Sequence, residues 1–368
     1  MSTAVSIIAL IVILGLVIFI HEFGHYILAK KNGVGVVEFS IGMGPDIFSW
    51  RRNETKYAVK WIPFGGYCLM QGDQSYFPEA AAGEEAAAFD EEKSFSKKSV
   101  WVRISIILAG PVFNFLLALL LAIVLAALVG ATTTKIGSVT PGYPAAEAGL
   151  QPCDEIVKLN GKRMHLFSEV SLYIALHEGE DIDVTYVRDG ETYESTIVPV
   201  YDEEAGRYYI GISSSARKTD LNALEIVKYG YYEFAYDTGV VFKSLGMLFS
   251  GRASLNDLSG PVGMAGMVDD IVTEVTDDTK NESFWTTAYW VIINLMSFTV
   301  LISANLGIMN LLPIPAVDGG RLVFLILEAV MGRPVPKKWE SIVTVAGFIL
   351  LAILMVVVLF NDIRKIFF

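Results

Sequence analysis

The chain has 368 residues, 53% of them hydrophobic, and its mean hydropathy is +0.48. This composition is too apolar for an ordinary soluble enzyme and indicates an integral membrane protein. The formal net charge of −12 argues against nucleic acid as a partner. We therefore expect a multi-pass protein of the lipid bilayer with no nucleic-acid partner.

The first predicted element is a helix from about Ala4 to Lys30. Its apolar run, Ala4 to Ile20, is about long enough to cross a bilayer core. No basic residue precedes the run and no small-residue cleavage site ends it, so we expect a retained helix rather than a signal peptide. Because lysines and arginines follow the helix but do not precede it, the positive-inside rule places the N-terminus outside.

The end of this helix has the sequence His21-Glu22-Phe23-Gly24-His25. In a helix His21 and His25 project from one face and can hold one zinc ion, and Glu22 is close enough to accept a proton from an attacking water. The HExxH pattern also occurs by chance, but such groups are costly to bury on a membrane helix without a function. The motif therefore predicts zinc-dependent hydrolysis inside a membrane.

Residues 36–71 change to short β-like pieces that glycines punctuate. We expect a small sheet that dips into the membrane beside the zinc site. Its unpaired edge would add a strand of substrate and hold it extended, with Gly65 and Gly66 as substrate-binding residues. A plain cytoplasmic hairpin is the alternative.

A second span is predicted from about Ile104 to Leu128, preceded by basic residues. Gly110 and Pro111 interrupt this apolar helix, which is tolerated where neighbours satisfy the freed carbonyl. Asn114 either joins helices by a hydrogen bond or lines the active-site cavity. Residues 1–131 together form the predicted N-terminal membrane half.

Residues 132–213 have the strand-like runs and hairpin turns of a soluble α+β domain. The runs Pro144–Leu150 and Cys153–Ile156 resemble a PDZ domain of the bacterial protease type, with Cys153 in place of one glycine of the usual Gly-Asp pair. Such a domain binds a chain terminus or strand, or acts as a size filter, and the sequence leaves both open. His165 and His177 are expected at its surface rather than as metal ligands.

Residues 214–284 are predicted to form an interfacial amphipathic region, with an interfacial helix or pair of helices between Leu221 and Phe249. Its charged residues are interpreted as a solvated face. The segment Ser259–Gly263 is expected to be a turn with no chemistry of its own.

A C-terminal membrane half, residues 285–368, follows, with spans at about Trp285–Leu312 and Ile342–Phe360. The first of these ends in Asn310-Leu-Leu-Pro-Ile-Pro-Ala-Val-Asp318-Gly-Gly, where two prolines break the helix at membrane depth. Such a break survives only inside protein or beside a wet cavity. Zinc in catalytic sites takes three protein ligands and one open position, so Asp318 is the predicted third ligand. The alternative is that Asp318 only caps the next helix.

The chain resembles the bacterial site-2 protease family of intramembrane zinc metalloproteases, because its motifs occur in the same order as in that family. The resemblance covers nearly the whole chain and points to the branch of the regulator of sigma-E protease, in a form with one PDZ domain. Val317 replaces the usual leucine before the aspartate, which changes packing and not chemistry. The segments that carry the resemblance are HEFGH at 21–25, Ile62–Tyr67, Ala109–Pro111 with Asn114, the PDZ-like domain, Ser259–Gly263 and Asn310–Gly319.

The resemblance implies cleavage of single-span membrane proteins, usually anti-sigma factors or leftover signal peptides, after a first cut outside. It implies Zn²⁺ as the cofactor and a bacterial inner or plasma membrane as the location. Both termini and the PDZ domain would be extracytoplasmic, with the active site near the cytoplasmic side. Asn310 would hydrogen-bond the substrate backbone and open its helix.

The predicted fold class is thus a polytopic α-helical membrane protein with about four transmembrane helices, a membrane-associated β-hairpin and an inserted α+β PDZ domain. Two other functions stay open. A zinc transporter would need a polar path across several helices, and the sequence shows one cluster. An inactive relative that serves as a PDZ scaffold would normally lack part of HExxH or the aspartate, and both are present.

Overall fold

The computed structural model describes residues 3–73, 90–203, 206–215, 217–252, 254 and 258–367. The described residues form two compact units, one within 1–118 and 240–368 and the other within 119–239. In chain order the elements are α1 (Thr3–Lys31), β1 (Val36–Arg52), β2 (Thr55–Met70), α2 (Val100–Val129), β3 (Ile136–Val139), α3 (Pro144–Glu147), β4 (Glu155–Leu159), β5 (Lys162–Arg163), α4 (Phe167–Leu176), β6 (Ile182–Arg188), β7 (Glu191–Ile197), β8 (Val200–Asp202), β9 (Arg207–Tyr209), β10 (Ile212–Ser214), α5 (Ala223–Phe249), α6 (Pro261–Asp278), α7 (Phe284–Leu311), α8 (Asp318–Met331) and α9 (Lys337–Phe367).

Four helices of the described chain are long and apolar enough to cross a membrane, namely α1, α2, α7 and α9. They include the four predicted spans, which confirms the predicted fold class. Helices that are apolar around most of their circumference suit a lipid surround, because the faces that do not pack on protein still contact hydrocarbon. In the first unit Leu10 and Ile13 of α1 pack against Val268 and Val272 of α6 and Phe298 of α7.

β1 and β2 form a sheet in which each long strand bends, so that different parts of one strand pair with different parts of the other. Residues 46–52 and 55–60 make a hairpin closed at Arg52 and Thr55. Residues 36–41 lie between residues 56–59 on one side and 66–70 on the other. Residues 66–70 are therefore an outer edge, since no further strand in the described chain pairs with them.

The far end of this sheet exposes large apolar side chains. Trp61 is 67% exposed and Phe48 is 61% exposed, and neighbouring apolar residues are similarly open. Exposed large apolar side chains that include tryptophan are typical of membrane contact. The other members are Met43, Ile47, Trp50 and Ile62.

The chain breaks between α7 and α8 at the predicted proline segment. A side chain at Gly319 would collide with the backbone of Leu312, and one at Gly320 would collide with the backbone of Ile314. The two glycines after Asp318 therefore let the loop pack against the first turn of α8. This doubling back turns Asp318 toward the interior of the first unit.

The second unit contains the inserted α+β domain, whose four-stranded sheet has the order β5-β4-β6-β7. Buried apolar residues such as Ile156, Leu159 and Val170 form its core. Asp154, of the Gly-Asp position, is buried and forms an ion pair with Arg188 at 2.7 Å. Burial would raise the pKa of Asp154, but the hydrogen bond from Arg188 lowers it below its ordinary value. Cys153 adopts a φ of +77°, the left-handed region that favours the glycine usual in this motif.

The region after this domain agrees with the prediction in one respect and differs in another. Residues 223–249 form one helix, α5, which is one of the two predicted alternatives. The segment Ser259–Gly263, predicted as a turn, instead begins α6, with Gly260 as the N-cap and Pro261 in the first turn. Proline is favoured there because its missing N–H is one that a helix start leaves unpaired. Asp362 of α9 accepts hydrogen bonds from the amides of Gly260 and Gly263 at 3.0 and 2.8 Å.

Candidate metal centre

Two histidines of α1 and an aspartate of α8 converge in the first unit, although almost 300 residues separate them in sequence. Asp318 Oδ2 lies 3.0 Å from His21 Nε2 and 3.1 Å from His25 Nε2. The two Nε2 atoms are 3.2 Å apart. All three side chains are buried. Among the described residues this is the one group of three metal-ligand side chains that could share an ion.

The donor set fits a zinc ion. Zinc takes imidazole nitrogen and carboxylate oxygen at about 2.0–2.2 Å, which in a tetrahedral site places neighbouring ligand atoms about 3.3–3.6 Å apart. The three distances among His21, His25 and Asp318 are 3.0–3.2 Å, so a small outward shift of the ligand atoms accommodates the ion. A site with three protein ligands also keeps a position open for water or substrate.

Local structure explains how each ligand reaches the centre. His21 and His25 lie one turn apart on α1 and therefore share a face. Asp318 is the first residue of α8, but Val317 occupies the N-cap position and no side-chain cap is formed. The alternative that Asp318 only caps the helix therefore does not describe this structure, because its carboxylate faces the two imidazoles.

Helix α2 contacts both imidazoles from the side opposite Asp318. His25 Nδ1 donates a hydrogen bond to the carbonyl of Ile106 at 2.8 Å. The Asn114 amide lies 3.2 Å from His21 Nδ1, and Asn114 is fully buried. Ser303 of α7 also donates to the Asn114 backbone carbonyl at 2.8 Å. Asn114 therefore contacts both a neighbouring helix and the site. Both of the roles that the sequence left open, joining helices and lining the active site, describe this residue.

Two glycines allow α1 and α2 to approach this closely. A Cβ at Gly24 of the HEFGH motif would collide with the Ala109 carbonyl. A Cβ at Gly110 would lie 2.7 Å from His21 Cε1 and closer still to the His25 ring. Small residues at such crossings are what permits backbones to pack tightly in membranes. The Gly110-Pro111 interruption thus has a steric purpose, which is to make room for the imidazoles.

We expect Gly110→Ala to displace the imidazoles and to weaken zinc binding by about 10- to 100-fold, as loss of ligand support typically does. Zinc content after dialysis of the purified full chain measures this. Gly15→Ala on α1 is the matched control, because a Cβ there meets nothing within 4 Å. A Gly110→Ala variant that keeps its zinc and its activity would contradict the steric argument.

Glu22 is half-buried beside the outer edge of the sheet. A Cβ at Gly66 would lie 3.4 Å from Glu22 Cγ and 2.8 Å from the Ser40 carbonyl. The backbone amide of Cys68, on the same edge, interacts with the Glu22 carboxylate. Strand β2 therefore passes next to Glu22, and the close approach that requires glycine at position 66 is the one to the Ser40 carbonyl.

The other two predicted substrate residues, Gly65 and Asn310, form no side-chain hydrogen bond with the metal ligands among the described residues. Gly65 has a φ of +82° and packs against Met43 within the sheet, so its conformation requires glycine. Asn310 lies in the last turn of α7, is half-buried, and has no hydrogen-bond partner for its amide among the described residues. Its donors and acceptor remain available to another molecule.

Two ion pairs fix α8 relative to the rest of the site. Arg103 of α2 contacts Glu328 through both terminal nitrogens. Arg321, one turn after Asp318, donates to Asp73 at 2.6 Å, just beyond the end of β2. Both pairs are largely buried, so they position the elements that carry the ligands.

Comparisons with known proteins identify the chain. The model of Peptidase family M50 matches residues 9–354. The regulator of sigma-W protease RasP of Bacillus subtilis is 30% identical over 98% of this chain and 99% of its own length, and the zinc metalloprotease RasP of Geobacillus kaustophilus is 32% identical over 100% and 99%. The PDZ domain of an SdrC-like protein from Listeria monocytogenes, 23% identical, covers 23% of this chain and 87% of that domain with a TM-score of 0.21. The family match across most of the length, with relatives that align from end to end, shows that this chain belongs to peptidase family M50, the site-2 proteases, and is a multi-pass zinc metalloprotease.

Proposed function

We propose that this metalloprotease cleaves the transmembrane segments of single-span membrane proteins, with anti-sigma factors and remnant signal peptides as the substrate classes. The observation that carries the proposal is the buried His21, His25 and Asp318 cluster, built from helices that lie at membrane-spanning segments or directly after one. The name of the Bacillus subtilis relative, a regulator of sigma-W protease, supports anti-sigma factors as substrates.

In this proposal His21, His25 and Asp318 hold the zinc ion, and Glu22 is the general base. Zinc, when bound, supplies a Lewis acid that lowers the pKa of a water molecule to about 7. Glu22 accepts the proton of the attacking water and returns it to the nitrogen of the leaving group. The leaving group therefore departs as a neutral amine and not as a strongly basic amide anion. Burial of the three ligands excludes bulk water from their contacts, so each contact acts in a low-dielectric surround.

The edge of the sheet provides a way to present a substrate. A peptide bond within a helix is shielded, so a transmembrane segment must unwind before it is cut. The edge at residues 66–70 lacks a partner strand in the described chain and lies beside Glu22. An extended substrate added there would have its backbone held by main-chain hydrogen bonds. We assign Asn310, Gly65 and Gly66 to substrate binding. The Asn310 amide supports its part in this assignment, because it has no hydrogen-bond partner in the described part of the chain.

The proposed topology follows the charged loops. The N- and C-termini and the PDZ-type domain, with proposed bounds 132–213, are extracytoplasmic, and the site opens toward the cytoplasm. The remaining proposed divisions are a membrane half at 1–131, an interfacial region at 214–284 and a second membrane half at 285–368. The exposed Trp61 and Phe48 support immersion of the sheet in the membrane. The PDZ-type domain would contact a peptide or the extracytoplasmic part of a substrate.

Metal removal tests the proposal directly. We expect the purified full chain to contain about one zinc per chain and to cut a model single-span substrate within its transmembrane segment. A zinc chelator should stop the cleavage, and added zinc should restore it. A second version of this substrate, which keeps its extracytoplasmic domain because it has not received the first cut, should be cleaved more slowly. Cleavage confined to soluble loops, or cleavage that survives complete zinc removal, would contradict the proposal.

A further inference from the structure

Helix α2 has three groups on one face, at intervals of four residues, that meet the two imidazoles. The carbonyl of Ile106 contacts His25, the bare backbone of Gly110 makes room for both rings, and the side chain of Asn114 contacts His21. Residues four apart lie one above the other on a helix. The two ends of this stripe, Ile106 and Asn114, therefore contact the Nδ1 atoms of the rings, while Gly110 lies against their Cε1 atoms and the Nε2 atoms face Asp318.

The contact at His25 fixes the position of its ring proton. A carbonyl oxygen only accepts hydrogen bonds, so the proton must lie on His25 Nδ1, which donates to Ile106 at 2.8 Å. His25 Nε2 then keeps its lone pair, on the side that faces Asp318. This is the tautomer that a metal ligand requires, and it is set by the partner of the other ring nitrogen.

His21 has no carbonyl in the corresponding place, and the Asn114 side chain occupies it instead. We propose that Asn114 is the positioning residue that fixes the ring orientation and tautomer of His21 for metal binding. This inference rests on the proposed assignment of His21 as a zinc ligand. For His21 Nε2 to keep its lone pair, the proton must lie on Nδ1, and Nδ1–H needs a hydrogen-bond acceptor at that position.

The amide of Asn114 supplies that acceptor. In the structure its amino group faces His21 Nδ1, and its Oδ1 is buried with no hydrogen-bond partner among the described residues. A half-turn of the amide exchanges the two atoms without changing the shape of the side chain. In the ligand-competent state Oδ1 then accepts from Nδ1–H, and the amino group moves to the position that Oδ1 now occupies.

Helix packing does not account for the side chain of Asn114. The hydrogen bond that joins α2 to α7 runs from Ser303 to the backbone carbonyl of Asn114, so any residue at this position would accept it. The amide itself is fully buried and its recorded hydrogen-bond contact is with the His21 ring. The chemistry of the side chain therefore serves the ring rather than the helix crossing.

Substitution of Asn114 by Asp, Leu and Ala in the full-length protein tests the proposal, with zinc release to a competing chelator as the measurement. Asp keeps an acceptor for Nδ1–H, as carboxylates commonly do behind zinc-bound histidines. Leu is close in size but cannot accept, and Ala leaves a space in case Leu does not fit. We expect Asn114→Leu and Asn114→Ala to lose zinc about 10- to 100-fold more readily, and Asn114→Asp to stay near the wild-type value.

Ser303→Ala is the structural control, because it removes the bond to the Asn114 carbonyl and leaves the amide in place. It should lower the thermal midpoint without changing zinc release. Wild-type zinc retention in both the Leu and Ala variants would overturn the proposal. So would a defect in Asn114→Asp as large as in Asn114→Leu, or equal zinc loss in Ser303→Ala. His21→Ala separates the proposed role of Asn114 from the proposed metal centre. Full zinc retention in His21→Ala would overturn the assignment of His21 as a zinc ligand.

Discussion

Glu22→Gln should keep zinc bound and reduce cleavage of a transmembrane substrate by about 10³-fold, within the range that loss of a general base produces. Glutamine has nearly the shape of glutamate, so the contact with Gly66 and the packing of α1 beside β2 should persist. It cannot accept and return a proton at neutral pH. Glu22 is not within the cluster of three that the structure brings together, and the metal content should therefore be unchanged.

Zinc per chain and the single-turnover cleavage rate, measured on the same preparation, check this prediction. The control is Glu274→Gln, which neutralises an exposed carboxylate of α6 that lies far along the chain from the ligands. It should leave both quantities unchanged. A Glu22→Gln variant that cleaves at the wild-type rate would rule out Glu22 as the base, and one that loses zinc would show that Glu22 supports the ligands instead.

Elements that depend on local sequence were predicted well. The four spans follow from long apolar runs, and their ends agree with the structure to within a few residues for α1 and α7. The break before Asp318 follows from two prolines, which cannot continue a helix. The spacing of His21 and His25 fixes their common face, because helix geometry alone determines it.

Features that depend on distant parts of the chain were not predicted. Nothing in the local sequence indicates that Asp362 accepts hydrogen bonds from Gly260 and Gly263, which lie 102 and 99 residues away. The start of α6 was therefore interpreted as a turn. A signal was present, since Pro261 is favoured in a first helical turn and apolar residues recur at helical spacing after it, among them Val268 and Val272.

The same distinction between local features and contacts with distant residues applies to the site. The sequence identified Gly110, Pro111 and Asn114 as an interruption of α2 but could not show what they contact. The spacing of Gly110 and Asn114 from Ile106 places these three residues on one face, yet only the fold reveals that His21 and His25 lie against that face. Residue type alone does not distinguish an asparagine that joins two helices from one that orients a ligand.

Asp318→Asn should remove the metal as well as the activity, which separates it from Glu22→Gln. Asparagine keeps the size of the side chain but loses the negative charge and one strong acceptor, in a buried position 3.0 and 3.1 Å from two imidazoles. Two neutral histidines alone bind zinc weakly in water, so we expect substoichiometric zinc after dialysis. Cleavage should fall by at least about 10²-fold, because several kcal/mol of charge stabilisation depends on the ion.

Thermal unfolding gives a second measurement that does not depend on catalysis. A ligand that binds only the folded state raises its stability in proportion to the logarithm of the ligand concentration over Kd. The wild-type midpoint should therefore rise when zinc is added to the chelator-treated protein, whereas that of Asp318→Asn should not. Asp269→Asn is the matched control, since it removes an acidic group of the same unit that accepts a hydrogen bond from Ser6. It should keep the zinc response. If Asp318→Asn binds one zinc and responds to it as the wild type does, the third ligand must be another residue, and the convergence of α1 and α8 would serve packing rather than the metal.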